Sequence, residues 1–198
     1  MPTDLIALDA LAVRSTVHLV SGVTDADLSR PTPCAEWHLG ALLTHMTAQH
    51  RGFAAAASGH GGDLAAWSWA PFSVRDYAAS ADLVLAAFAA PGVLDRIFEL
   101  PEFGASFPGR LAIGFHLVDY VVHGCDVATS LGRPYSPDPA VVAAALPLAR
   151  SVPDGPARLE PGAPFAPALP VPADTDPLSE ILLLLGRKLS EVADSKDA

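Results

Sequence analysis

The sequence predicts an all-α fold, a small helical bundle joined by Pro-rich loops, and three observations carry that expectation. Apolar residues recur at steps of three and four along most of the chain, the period of a helix that buries one face. A proline-free stretch from Arg110 to Leu131 is long enough for about six helical turns. Apolar residues make up 51% of the chain against 17% charged, which supplies a core and excludes wholesale disorder. At 198 residues the expectation is one domain spanning 1–198.

The elements follow in order. Leu5, Leu8, Ala12, Thr16, Leu19, Val20 and Val23 form the stripe of a first helix over 4–23. A polar, proline-bearing turn from Asp25 to Trp37 leads into a second, whose stripe runs from Leu39 through Leu42, Leu43 and Met46 to Phe53. Residues 59–72 are Gly-rich and carry Trp67, Trp69 and Phe72, so an irregular segment with bulky anchors is expected. Ser73, three residues before Asp76, opens a third helix that ends at Pro91-Gly92. Residues 93–109 are broken by Pro101, Gly104, Pro108 and Gly109, and read as a connector with a short extended piece rather than as a regular element. The long helix to Leu131 follows, with Gly132 as its C-terminal cap. A fifth helix, Pro139 to Arg150, should kink or end early at Pro147. Seven prolines in 153–172 predict extended polypeptide wandering over the surface. Asp176 and Pro177 then start a last helix running to Leu189.

Charge excludes one class of partner. The net charge is −10, the only lysines are Lys188 and Lys196, and no basic cluster appears, so no nucleic acid is expected. Asp4 and Asp9 interrupt the N-terminal apolar stretch, and no apolar run reaches the roughly 18 residues that span a bilayer. A cytoplasmic protein with no membrane partner is the expectation. Cys34 and Cys125 are too few for a disulfide framework and read as reduced thiols.

The residues that can carry chemistry lie on two helices. Asp119 and His123 are four apart, so both project from one face of the long helix, and His116 shares their stripe. Imidazole and carboxylate together suit Zn, Ni, Fe or Mn, with a third ligand from another helix. His45, between Leu42 and Met46, is the candidate. Taken singly, each of these residues also reads as a hydrogen-bonded core or helix-face residue, and spacing alone leaves both readings open.

Longer motifs add to the spacing. Pro31-Thr32-Pro33-Cys34-Ala35-Glu36-Trp37 leads into Leu42-Leu43-Thr44-His45, and Asp119-Tyr120-Val121-Val122-His123-Gly124-Cys125-Asp126-Val127-Ala128 is followed by Leu131-Gly132. These resemble the mycothiol-dependent maleylpyruvate isomerase N-terminal-like group of the DinB superfamily, and more narrowly its actinobacterial metal-binding proteins. The tail, Leu169-Pro170-Val171-Pro172-Ala173-Asp174 with Leu183-Leu184-Leu185-Gly186-Arg187, is similar to theirs too. The resemblance implies an up-and-down four-helix core with additional C-terminal helices, and a metal held by His45, Asp119 and His123. Asp119 stands where the isomerase has Glu, and Cys125 where Trp is usual.

Three protein ligands leave a catalytic metal one open position. By resemblance the ion, Zn before Ni, presents mycothiol as a thiolate that attacks a small electrophilic substrate, giving isomerisation or S-transfer. His116 is then either an acid/base or substrate contact, or plain packing. Trp37 is expected as a core anchor, Cys34 as a small buried hydrophobe, Glu36 as a helix-start acid and Asp126 as a hydrogen-bond partner behind the ligands. Two other readings stay open: a biosynthetic enzyme using the pocket without thiol, and a non-catalytic metal- or ligand-binding protein. Related bundles pair through helix faces, so a homodimer is among the assemblies implied.

Overall fold

The computed structural model describes residues 4–34, 37–160 and 163–188, and within them six α-helices and one β-hairpin. Asp4 caps α1 (Leu5–Val20), its carboxylate accepting from the amides of Ile6 and Ala7. His38 caps α2 (Leu39–Ala57), its Nδ1 accepting from the Ala41 amide. Ser73 caps α3 (Val74–Phe88) through the Asp76 amide, as its spacing predicts. The long α4 (Gly109–Leu131) ends at Gly132, whose φ of 64° is the left-handed conformation that lets the amides of Gly132 and Arg133 close on the Thr129 and Ala128 carbonyls.

Each of the first four helices packs on two of the others: α1 on α3 and α4, and α2 on α3 and α4. Leu8, Val13, Leu42, Met46, Leu117 and Val121 fill the space between them, each such burial stabilising by roughly 1.5–3 kcal/mol. A second apolar cluster, including Phe53, Phe88, Phe98 and Ile113, closes one end. α5 (Pro139–Ser151) lies on α4 and α1, and α6 (Pro177–Leu184) on α5. By length and composition α4 could cross a membrane, but most of it is buried inside the fold.

The structure departs from the sequence expectations in four places. Residues 97–108 form an antiparallel hairpin, β1 (Ile97–Leu100) and β2 (Ala105–Pro108), turned by Gly104 at a φ of 58°. Phe98 and Leu100 alternate inward on it to cover the apolar end. Second, α5 runs through Pro147 to Ser151 instead of stopping early. Pro147 and Ala143, whose carbonyl loses its amide partner to the proline, are both exposed, so the freed oxygen is not sealed in the core.

Third, α6 ends at Leu184 rather than at Leu189, which lies outside the described residues, as does Glu36. Gly186, at a φ of 77°, reverses the chain, and the amides of Gly186 and Arg187 close on the carbonyls of Leu183 and Leu182. Fourth, the Pro-rich segment runs over the surface as expected but is tied down at one buried arginine. The buried Arg158 guanidinium donates to the carbonyls of Val152, Pro153, Ala166 and Leu184, tying that segment to the end of α6.

Candidate metal centre

Three side chains from two helices converge. On α2 the buried Leu42, Leu43 and Met46 set the inward face, and His45 sits at its edge with 16% of its side chain exposed. Asp119 and His123, one turn apart on α4, meet at 3.2 Å between Asp119 Oδ1 and His123 Nε2. His45 Nε2 stands 3.9 Å from Asp119 Oδ2. One ligand atom from each residue lies within 4.8 Å of the others. Zinc–ligand bonds of about 2.0–2.2 Å leave neighbouring donors roughly 3–3.5 Å apart, so a modest closure completes the site.

The electrostatics suit a cation. Burial pulls the His45 imidazole down to about 4 against the attraction of Asp119, so it is neutral and keeps a lone pair to donate. Burial pushes Asp119 up, but the charge and hydrogen bond of His123, with His45 behind, overcome it and hold the carboxyl well below its ordinary range. His123 is lowered by burial and raised more strongly by Asp119 and Asp126, to about 9. A proton between two carboxylates is thus the charge that a divalent ion replaces. Two imidazoles and one ionised carboxylate fit a borderline divalent cation such as zinc or nickel.

Behind the ligands, Asp126 Oδ2 lies 3.0 Å from His123 Nδ1, which fixes the ring and leaves Nε2 for the ion. This is the hydrogen-bond partner behind the ligands that the sequence predicts at Asp126. Arg187, buried just beyond the Gly186 turn, donates to the same oxygen of Asp126 at 3.4 Å and to Cys34 Sγ at 3.4 Å. Its part in the site was missed, although the Leu183–Arg187 motif contained it. Cys34, His123 and Asp126 also bring ligand atoms within 4.8 Å. Burial pushes the Cys34 thiol up to about 11, however, and Asp126 is already committed to His123 and Arg187, so Cys34 is a neutral neighbour. The structure finds Cys34 half-buried and without a disulfide, and Cys125 likewise.

The mouth is aromatic. Trp37, packed against the core as expected, has its ring 4.7 Å from that of His45, and Trp69 stands edge-on to Trp37 at 5.6 Å. On the hairpin turn, Glu102 accepts from Gln49 of α2, one turn beyond His45, and burial with the nearby Asp119 charge pushes its carboxyl up to about 7. No sequence signal marked Glu102, since its partner is 53 residues away.

His116 is not brought to these atoms. It is fully buried, its Nδ1 lies 2.7 Å from Asp9 Oδ1 of α1, and its ring stacks on Tyr120 at 4.3 Å. It shares the stripe of Asp119 and His123 but lies about 10 Å from His123 along the helix axis, at the helical rise of about 1.5 Å per residue.

A family model for the mycothiol maleylpyruvate isomerase N-terminal domain matches residues 10–128, a span that holds His45, Asp119, His123 and Asp126 and stops short of Arg187. Two uncharacterized proteins from two strains of Mycobacterium tuberculosis are each 29% identical to this chain over 177 residues, covering 85% of it and 90% of their own length. No solved structure matches.

Proposed function

Because the chain belongs to the mycothiol maleylpyruvate isomerase N-terminal domain family, a DinB-like family, we propose that it is a divalent-metal protein that uses a thiol, mycothiol, to transfer or isomerise a small electrophilic substrate. The observation that carries this reading is the convergence of His45, Asp119 and His123 within 4.8 Å at a partly open edge of the fold. The pairwise packing of α1 to α4 supports the up-and-down four-helix bundle that goes with it. The proposal places the protein in the cytoplasm, with zinc as the first choice of ion and nickel as the second.

When bound, the ion supplies a Lewis acid that holds a thiol as its thiolate at neutral pH. The chain's own residues do the rest. Neutral His45 and ionised Asp119 provide donors from two helices, so the site exists only when α2 and α4 are packed. Asp126 orients His123, and Arg187 balances the Asp126 charge, which would otherwise sit buried beside Asp119. Trp37 shields one side of His45 from water.

Absorption of the cobalt-substituted protein tests this reading. Adding mycothiol should produce a sulfur-to-cobalt charge-transfer band, and Asp119→Ala should abolish it. A protein that holds cobalt stoichiometrically and gives no such band contradicts the thiol reading.

A further inference from the structure

The metal centre lies partway along the seam between α2 and α4, and the seam continues past it. The Tyr120 hydroxyl donates to the Met46 carbonyl at 2.6 Å, whereas Phe53 meets His116 at 4.9 Å between ring centroids, so the two helices run antiparallel. One turn past His45 on α2 is Gln49, and the matching turn of α4, four residues before Asp119, carries Phe115. The hairpin tip spans these two turns. Glu102 accepts from Gln49 Nε2 at 3.0 Å, and the next residue, Phe103, has its ring 5.4 Å from Phe115 and 5.6 Å from Phe107. Phe107 and Phe115 are in turn 5.2 Å apart and edge-on.

Two features of this corner go beyond holding the hairpin in place. Phe103 completes a three-ring cluster yet is 44% exposed, and Leu111, one turn further along the same face of α4, is exposed as well. Gln49 is only 8% exposed, and its Oε1 is buried with no hydrogen-bond partner among the described residues, a cost that a bound donor removes. Charge narrows the ligand. Among the described residues no Lys or Arg pairs with Glu102 or Asp119, and Arg187 is taken by Asp126 behind His123. A carboxylate entering here meets two acids and no counter-charge from the chain.

We propose that this corner is the substrate subsite of the metal centre: Phe103, Phe107 and Phe115 cover the ring of an uncharged aromatic substrate, and the Gln49 and Glu102 oxygens accept an N–H or O–H from it. This rests on the reading above and gives its electrophilic substrate a chemical class. Aromatic rings supply the apolar area and the edge-on geometry that hold another ring, and a few placed acceptors fix its orientation.

Titration of the ¹⁵N-labelled full chain with phenylacetamide, followed at the Gln49 side-chain amide by NMR, tests the subsite without turnover. Saturable shifts are expected in zinc-loaded and ion-free protein alike, with a dissociation constant on the order of 1–10 mM for so small a ligand. Phe103→Ala should weaken binding about fivefold, with zinc content unchanged. In ion-free protein, where no metal captures a carboxylate, phenylacetate should bind at least about fivefold more weakly than the amide. That comparison uses the wild-type chain and does not depend on how the variant folds. No saturable Gln49 shift in wild type, equal affinity in Phe103→Ala, or equal binding of phenylacetate overturns the subsite. Phenylacetamide binding that depends on Phe103, in a protein whose cobalt form gives no sulfur band with mycothiol, upholds the subsite and refutes the thiol reading. A sulfur band without any Gln49 shift does the reverse.

Discussion

Two clusters of histidine and aspartate share α2 and α4, the inner one adding Asp9 of α1. His45, Asp119 and His123 turn their donor atoms toward one another at the edge of the fold, within 4.8 Å. Asp9, His116 and His50 lie deeper and share no common point: His116 Nδ1 pairs with Asp9 at 2.7 Å, His50 Nδ1 with Ser80 Oγ at 3.0 Å, and both rings stack on Tyr120. Burial, with His116 nearby, holds His50 well below its ordinary value. Residue types are the same in both. What separates a candidate metal centre from a polar core is convergence of donors at partly exposed side chains, and the inner three residues are fully buried. It ties α1, α2, α3 and α4 together through hydrogen bonds that an alternative packing would leave unmade.

That contrast is easiest to break from the inside. Asp9→Ala strips the buried His116 of its partner and should cost about 3–5 kcal/mol in urea unfolding, while metal content per folded molecule stays unchanged. Loss of metal with stability intact would reverse the roles assigned to the two clusters.

A pH series on the ion-free protein gives the next largest effect. His123 is raised from 6.5 to about 9 in the fold, so its contribution is full below pH 6.5 and is lost as pH rises through about 9. Asp119 is held below its ordinary 3.8, so its contribution is present above that pH and is lost on acidification. Thermal unfolding of ion-free protein should therefore weaken between pH 6.5 and 9, and zinc-loaded protein, in which the ion replaces the His123 proton, should not.

Asp126→Asn keeps the shape behind His123 and removes the charge, which should lower zinc affinity 10–100-fold, on the order seen for such orienting carboxylates, in competition with a chromogenic chelator. The smallest effect is expected at the tail. Gly186→Ala forces an L side chain to a φ of 77° against Ala166, costing roughly 1–2 kcal/mol in unfolding and displacing Arg187 from Asp126. An unchanged zinc affinity there would confine Arg187 to a packing role.

Helices were legible in the sequence because each buries one stripe, and periodicity records that stripe directly. The hairpin was not, since its strands are four residues each and only Phe98 and Leu100 mark the inward face. Within the site, Asp119 and His123 show in the sequence as a pair four apart, whereas His45 needed the resemblance, because nothing local says which helix supplies the third donor. His116 shows why a shared stripe is insufficient: seven residues return a side chain to the same face but carry it two turns deeper. Asp9, His50, Glu102 and Arg187 find their partners 107, 30, 53 and 61 residues away, distances over which spacing carries no information.

The central claim is that His45, Asp119 and His123 hold one divalent ion, and elemental analysis of protein purified without an affinity tag tests it most directly. One equivalent of zinc or nickel per chain is predicted for wild type and for Asp9→Ala molecules that remain folded, with the ion lost in His45→Ala and His123→Ala. Wild-type protein without stoichiometric metal after growth and dialysis in zinc, or full occupancy in both histidine variants, would contradict it.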